Sequence, residues 1–89
     1  MDFEWHENKR RANLRKHNLD FVDAQALFDG RPTYTHSSPR LGEQRFVTIG
    51  LLNDEFVALV WTERGTLIRL ISLRRARDEE KREYRAVFS

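Results

Sequence analysis

Residues 45–73 read Arg-Phe-Val-Thr-Ile-Gly-Leu-Leu-Asn-Asp-Glu-Phe-Val-Ala-Leu-Val-Trp-Thr-Glu-Arg-Gly-Thr-Leu-Ile-Arg-Leu-Ile-Ser-Leu, and this stretch decides the fold. From Glu43 the pattern takes a period of two, with Val47, Ile49 and Leu51 on one face of a strand and Arg45 at its start. Asn53-Asp54 supplies a turn, because both residue types tolerate left-handed backbone. Phe56 to Trp61 is nearly all apolar, as expected of a central strand with both faces covered. Glu63-Arg64-Gly65 turns the chain again, and Thr66 to Leu73 forms a last strand. Residues 45–51, 56–62 and 66–73 are therefore expected to form an antiparallel meander, with Val57, Leu59 and Trp61 buried.

Working outward, Phe3-Glu4-Trp5 alternates and predicts a short first strand. Residues 7–17 hold good helix formers and neither Gly nor Pro, so a surface helix follows, ending at Asn18. Asp20 reads as the N-cap of a second helix. Phe21, Ala24, Leu27 and Phe28 form its apolar stripe, and Gly30 and Pro32 end it. The two helices make a hairpin. Thr33 to Thr35 suggests a weak strand before a polar loop, and a helix from about Ala76 to Tyr84 closes the chain. The expected fold is α+β: an antiparallel sheet with an N-terminal helix hairpin packed on it and a C-terminal helix, in one domain spanning residues 1–89.

Composition narrows the classes of function. Ten aromatics among 89 residues argue against disorder despite 34% charged residues. Without cysteine there is neither a disulfide nor a thiolate metal site, which fits a reducing cytoplasm. The first residues do not form a signal peptide, and no apolar run approaches the roughly 20 residues of a membrane span. His6, His17 and His36 lie 11 and 19 residues apart, unlike any compact metal-ligand spacing, so no cofactor or metal is expected. Glycine-loop and Gly-x-Ser-x-Gly motifs are missing too.

The charge is small overall, at +2, but unevenly placed. Residues 6–17 carry Lys9, Arg10, Arg11, Arg15 and Lys16 against Glu7, a net of +4. Residues 64–77 contain five arginines and no acid. Guanidinium is permanently charged and its donor fork matches phosphate, so two basic blocks brought onto one face would bind nucleic acid. The plainer alternative is a set of solvated charges paired with Asp78, Glu79 and Glu80. Cleavage of RNA fits this inventory, since the 2′-hydroxyl is an internal nucleophile. The protein has only to orient the backbone, neutralise the developing charge and move protons. Arg64, Arg69 and Arg74 suit the phosphate, while His17, Glu43, Glu63 or Tyr84 could transfer protons.

Phe3-Glu4-Trp5, Asn8-Lys9, Asn13, Lys16-His17-Asn18, Phe21, Ala24 and Phe28-Asp29 stand in an order and spacing that resembles the BrnT family, small ribonuclease toxins of bacterial type II toxin–antitoxin pairs with a RelE-like fold. The resemblance continues in Gly42-Glu43-x-Arg45, Ile49-Gly50, Arg64, Arg69-x-Ile71-Ser72-x-Arg74-x-Ala76, Glu79 and Tyr84. His6 stands where the family usually has an acid, and Asn18 where it usually has glycine. The resemblance implies metal-free endoribonuclease activity with Lys16, His17, Glu43, Arg45, Arg64, Arg69 and Arg74 as the functional set. It also implies a BrnA-like antitoxin as partner, through which alone the toxin would sit on operator DNA. A non-catalytic interaction module, acting as co-repressor with its antitoxin, is the competing expectation.

Overall fold

A computed structural model describes residues 1–88. The elements are β1 (Asp2–Glu4), α1 (Glu7–His17), α2 (Phe21–Ala24) continued by a 3₁₀ turn (Gln25–Phe28), β2 (Tyr34–Ser37), β3 (Phe46–Leu52), β4 (Glu55–Arg64), β5 (Leu67–Arg75) and α3 (Asp78–Phe88). They make an α+β fold around one five-stranded sheet in the order β1-β5-β4-β3-β2. The meander is as expected, with β4 central and Val57, Leu59 and Trp61 buried. Asn53 and Asp54 both take positive φ, so the β3–β4 hairpin closes through the mirror-image turn that suits strand twist.

Two features differ from the expectation. The sheet is mixed: β1 pairs parallel with β5 through Asp2–Leu67, Phe3–Ile68 and Glu4–Arg69. A parallel partner joined through a long connection leaves no local signal in a three-residue strand. The second member of the expected helix hairpin is a single α turn followed by a 3₁₀ turn. Its cap is as expected, with the Val22 amide donating to the Asp20 carboxylate at 3.0 Å. Asn18 ends α1 in the left-handed conformation, its amide donating to the Leu14 carbonyl.

Cross-strand pairing sorts the side chains onto two faces. One face carries Thr48, Val57, Leu59, Trp61, Ile68, Leu70 and Leu73, and buries Phe21, Ala24 and Leu27 of α2 and its 3₁₀ extension. Gly50 lies on this side, where a Cβ would come 2.8 Å from Leu27 Cδ2. The Trp61 indole donates to Thr48 Oγ1 at 2.8 Å, so the polar atoms of this core are satisfied. The other face carries Val47, Ile49, Ala58 and Val60, and α3 covers part of it through Tyr84.

β5 contains a bulge. Val60 pairs with Ser72 but Trp61 with Leu70, which leaves Ile71 as an extra residue. Beyond β1, α1 flanks β5. The Asn13 side chain donates to the Leu73 carbonyl at 2.8 Å and accepts from the Leu73 amide at 3.0 Å.

Candidate functional site: a basic depression on the open sheet face

The face bearing α3 is arranged in cross-strand rows. Tyr34–Ile49–Ala58–Arg74 is one row, and α3 lies over its Ile49 and Ala58. The next row, His36–Val47–Val60–Ser72, forms a floor flanked on its far side by Arg45 and the Thr62–Arg69 pair. Over the floor opens a depression of about 300 Å³ lined by Ser38, Arg40, Arg45, Val47, Val60, Ile71, Ser72, Arg74 and Arg77. Four guanidinium groups and no carboxylate line it, so the potential inside favours an anion.

The bulge makes this arrangement. Arg69 and Arg74 are five residues apart, and strict alternation would put them on opposite faces. The extra residue Ile71 restores both to the face of the depression. A second, shallower depression lined by Lys9, Ala12, Asn13, Lys16 and His17 of α1 also reaches Ile71 and Ser72. The two basic blocks of the sequence therefore meet at the bulge.

Each expected site residue has a definite place. Arg69 donates to the Glu4 carboxylate at 2.7 Å, and Arg64 approaches the same carboxylate at 4.0 Å. Arg74 makes two parallel bonds to Glu80, at 2.8 and 2.9 Å, while the Arg77 amide donates to Glu80 Oε1. Arg45 reaches Glu43 at 3.2 Å on the arm leaving the tight turn whose ends, Arg40 and Glu43, exchange backbone hydrogen bonds. Lys16 and His17 sit on the α1 side of Ser72, and Arg75 donates to the His17 carbonyl. Arg45, Arg69 and Arg74 are thus brought around one floor, and Arg64 lies at the end of the β4–β5 hairpin. Of the other proton-transfer candidates, Glu63 pairs with Ile68 on the opposite face, and Tyr84, on α3 itself, is packed against the sheet.

Glu80 is buried, yet its carboxyl titrates below the usual range. The Arg74 fork is the main cause, and burial opposes it. The same pairing raises the Arg74 guanidinium. Arg40 and Arg77 line the depression without a salt bridge among the described residues. Sequence reasoning passed over both as ligands because one lies in an irregular loop and the other in a turn, where periodicity assigns no face. Among the described residues no cluster of three or more His, Cys, Asp or Glu side chains could hold a metal ion. No helix among them is long and apolar enough to cross a membrane.

A family model described as a ribonuclease toxin, BrnT, of a type II toxin-antitoxin system matches residues 5–80. No curated protein matches the chain.

Proposed function

Because the chain belongs to the BrnT family of ribonuclease toxins of type II toxin–antitoxin systems, we propose that it is an endoribonuclease that cleaves RNA without a metal ion, at the depression on the open sheet face. The observation carrying this reading is the convergence of Arg40, Arg45, Arg74 and Arg77 on one floor, with Lys16 and His17 adjoining at the bulge. Arginines at fixed positions stabilise the extra negative charge of a pentavalent phosphorane without reorganising. The 2′-oxygen attacks phosphorus, and its proton passes to Glu43, the carboxylate held at the rim by Arg45. The bond from phosphorus to the 5′-oxygen breaks, and the departing oxygen takes a proton from water. The products carry a 2′,3′-cyclic phosphate and a 5′-hydroxyl. Arg69 adds its charge at the reacting phosphate from the flank of the floor, and Arg64, Lys16 and His17 hold the neighbouring backbone.

In the cell this activity is neutralised by a BrnA-like antitoxin in the cytoplasm, and operator DNA is reached only through that partner. The test is cleavage of RNA by the purified chain in excess chelator, with the new ends identified. Arg45→Ala and Arg69→Ala should each lower the rate by roughly 10²–10³-fold, as loss of one preorganised donor does. Wild-type rates in both variants would place the site elsewhere.

One observation favours a second reading, in which the domain is a co-repressor without catalysis. Arg45, Arg69 and Arg74 each already hold a carboxylate, from Glu43, Glu4 and Glu80. Absence of cleavage by the wild-type chain, with operator binding by its complex retained, would establish that reading.

A further inference from the structure

His36 lies outside the functional set, and its position is unusual for a surface histidine. On β2 the side chains of Tyr34 and His36 point to the face of the depression, opposite Ile49 and Val47. Val47 is part of the floor, and Ser38, next on the same side of the strand, is part of the wall. The imidazole therefore stands at the β2 edge of the floor, beside Val47 and on the same side as Ser38. Its ring is uncommitted: Nδ1 approaches the Ser37 carbonyl at 3.4 Å, the outer limit of a hydrogen bond. The Tyr34 ring stands beside it, with centroids 6.1 Å apart and planes tilted by 39°. Tyr34 is packed in turn against the cluster holding Tyr84, so one ring is fixed and the other is free at its edge.

Resting on the ribonuclease reading, we infer that His36, backed by Tyr34, is a stacking platform for one unpaired nucleobase of an RNA strand whose phosphates lie on the arginines of the depression. Three features support this occupant. The depression is lined by four arginines among small and aliphatic side chains, with no aromatic face, so it suits a backbone rather than a base. The aromatic surface begins at His36, two residues from Ser38 of the wall and on the same side of the strand. Separation limits what His36 can do for the reaction on the far side, since Ser72 is three strand spacings away, roughly 14 Å. An imidazole at that distance does not share a phosphate with His17. It is well placed to receive the base of a neighbouring nucleotide. Bases inside a duplex have their faces covered by neighbours, so a platform of this kind selects single-stranded segments. His36 is then a positioning residue rather than a catalytic one.

The experiment uses the full chain and two probes of equal length. One is a 2′-O-methylated single strand, which lacks the nucleophilic hydroxyl and stays intact, and the other is the same backbone with abasic sites. Binding is followed by fluorescence anisotropy for wild type, His36→Ala and His36→Phe, with circular dichroism confirming the fold. His36→Ala should weaken binding of the base-bearing strand by roughly 5- to 150-fold, the range for losing one stacked base. It should leave the abasic strand unchanged. His36→Phe, which keeps a planar face and removes both nitrogens, should restore affinity. The platform is refuted by unchanged binding in His36→Ala, by equal losses on both probes, or by His36→Phe as weak as His36→Ala. Equally tight binding of the first probe after annealing to its complement refutes the selection for unpaired bases. If the wild-type chain binds neither strand, the ribonuclease reading fails and the platform with it. Wild-type binding with an indifferent His36→Ala removes the platform alone.

Discussion

Glu80 shows how a single side chain can hold both a fold and a basic surface in place. It is 5% exposed and is satisfied by the Arg74 fork and the Arg77 amide. It ties the first turn of α3 to the end of β5, orients the Arg74 guanidinium and fixes the backbone at Arg77. The carboxyl is depressed on folding from an ordinary value near 4.5. Its contribution to stability is therefore fully present above about pH 4.5 and is lost as the pH falls through the lower folded-state value. Glu80→Gln should destabilise the domain by about 3 kcal/mol, at the low end for a broken buried pair because Arg74 keeps some contact with water. Denaturant titrations at pH 7 and at acid pH check this: the variant should lag wild type at neutrality and converge with it in acid. A constant gap across that range would show that the pair's charge is not what stabilises the junction.

At the scale of elements, the meander was legible because its information is local. Alternation in β3, the apolar run of β4 and the Asn53-Asp54 turn lie within twenty residues and agree with one another. The parallel partner β1 was not legible, because Phe3 and Ile68 meet across most of the chain. The site was legible only in part. Composition pointed to Arg69 and Arg74, but their common face depends on the bulge at Ile71, which no residue type announces. The helix pair was read from a stripe that is real but is built by a short α turn and a 3₁₀ turn. Gly50 explains why those turns can lie so close to β3. Gly50→Ala sets a methyl 2.8 Å from Leu27 Cδ2 and 3.1 Å from Thr33 Cγ2, and Leu27 is itself buried with little room to give. Overpacking of this kind should cost about 1–3 kcal/mol, read as a lowered urea midpoint with an unchanged slope. An unaltered midpoint would mean that the 3₁₀ turn moves freely on the sheet.

For the molecule as a whole, a net charge of +2 understates the field outside it. The acids concentrate where they neutralise particular arginines, and the depression retains Arg40 and Arg77 unpaired among the described residues. The exposed apolar side chains at the end of α3, Val87 and Phe88, form no continuous surface with α1. The fold separates them, because α3 packs on β2 and β3 whereas α1 packs on β5 at the other side of the sheet. A partner that touches both has to span the molecule, passing over one face of the sheet or around its end.

The Asn13 amide has a consequence for how copies of this chain behave together. Where β1 stops, β5 would present bare backbone donors and acceptors, the usual template for recruiting a strand from another molecule. One carboxamide occupies that position by imitating a strand's own peptide group at Leu73. Asn13→Ala should thus do more than lower stability by about 1–3 kcal/mol for the unsatisfied Leu73 groups. It should open this border to edge-to-edge self-association, with sedimentation showing more concentration-dependent dimers and larger species than wild type. A monomeric Asn13→Ala would show that α1 alone shields the border.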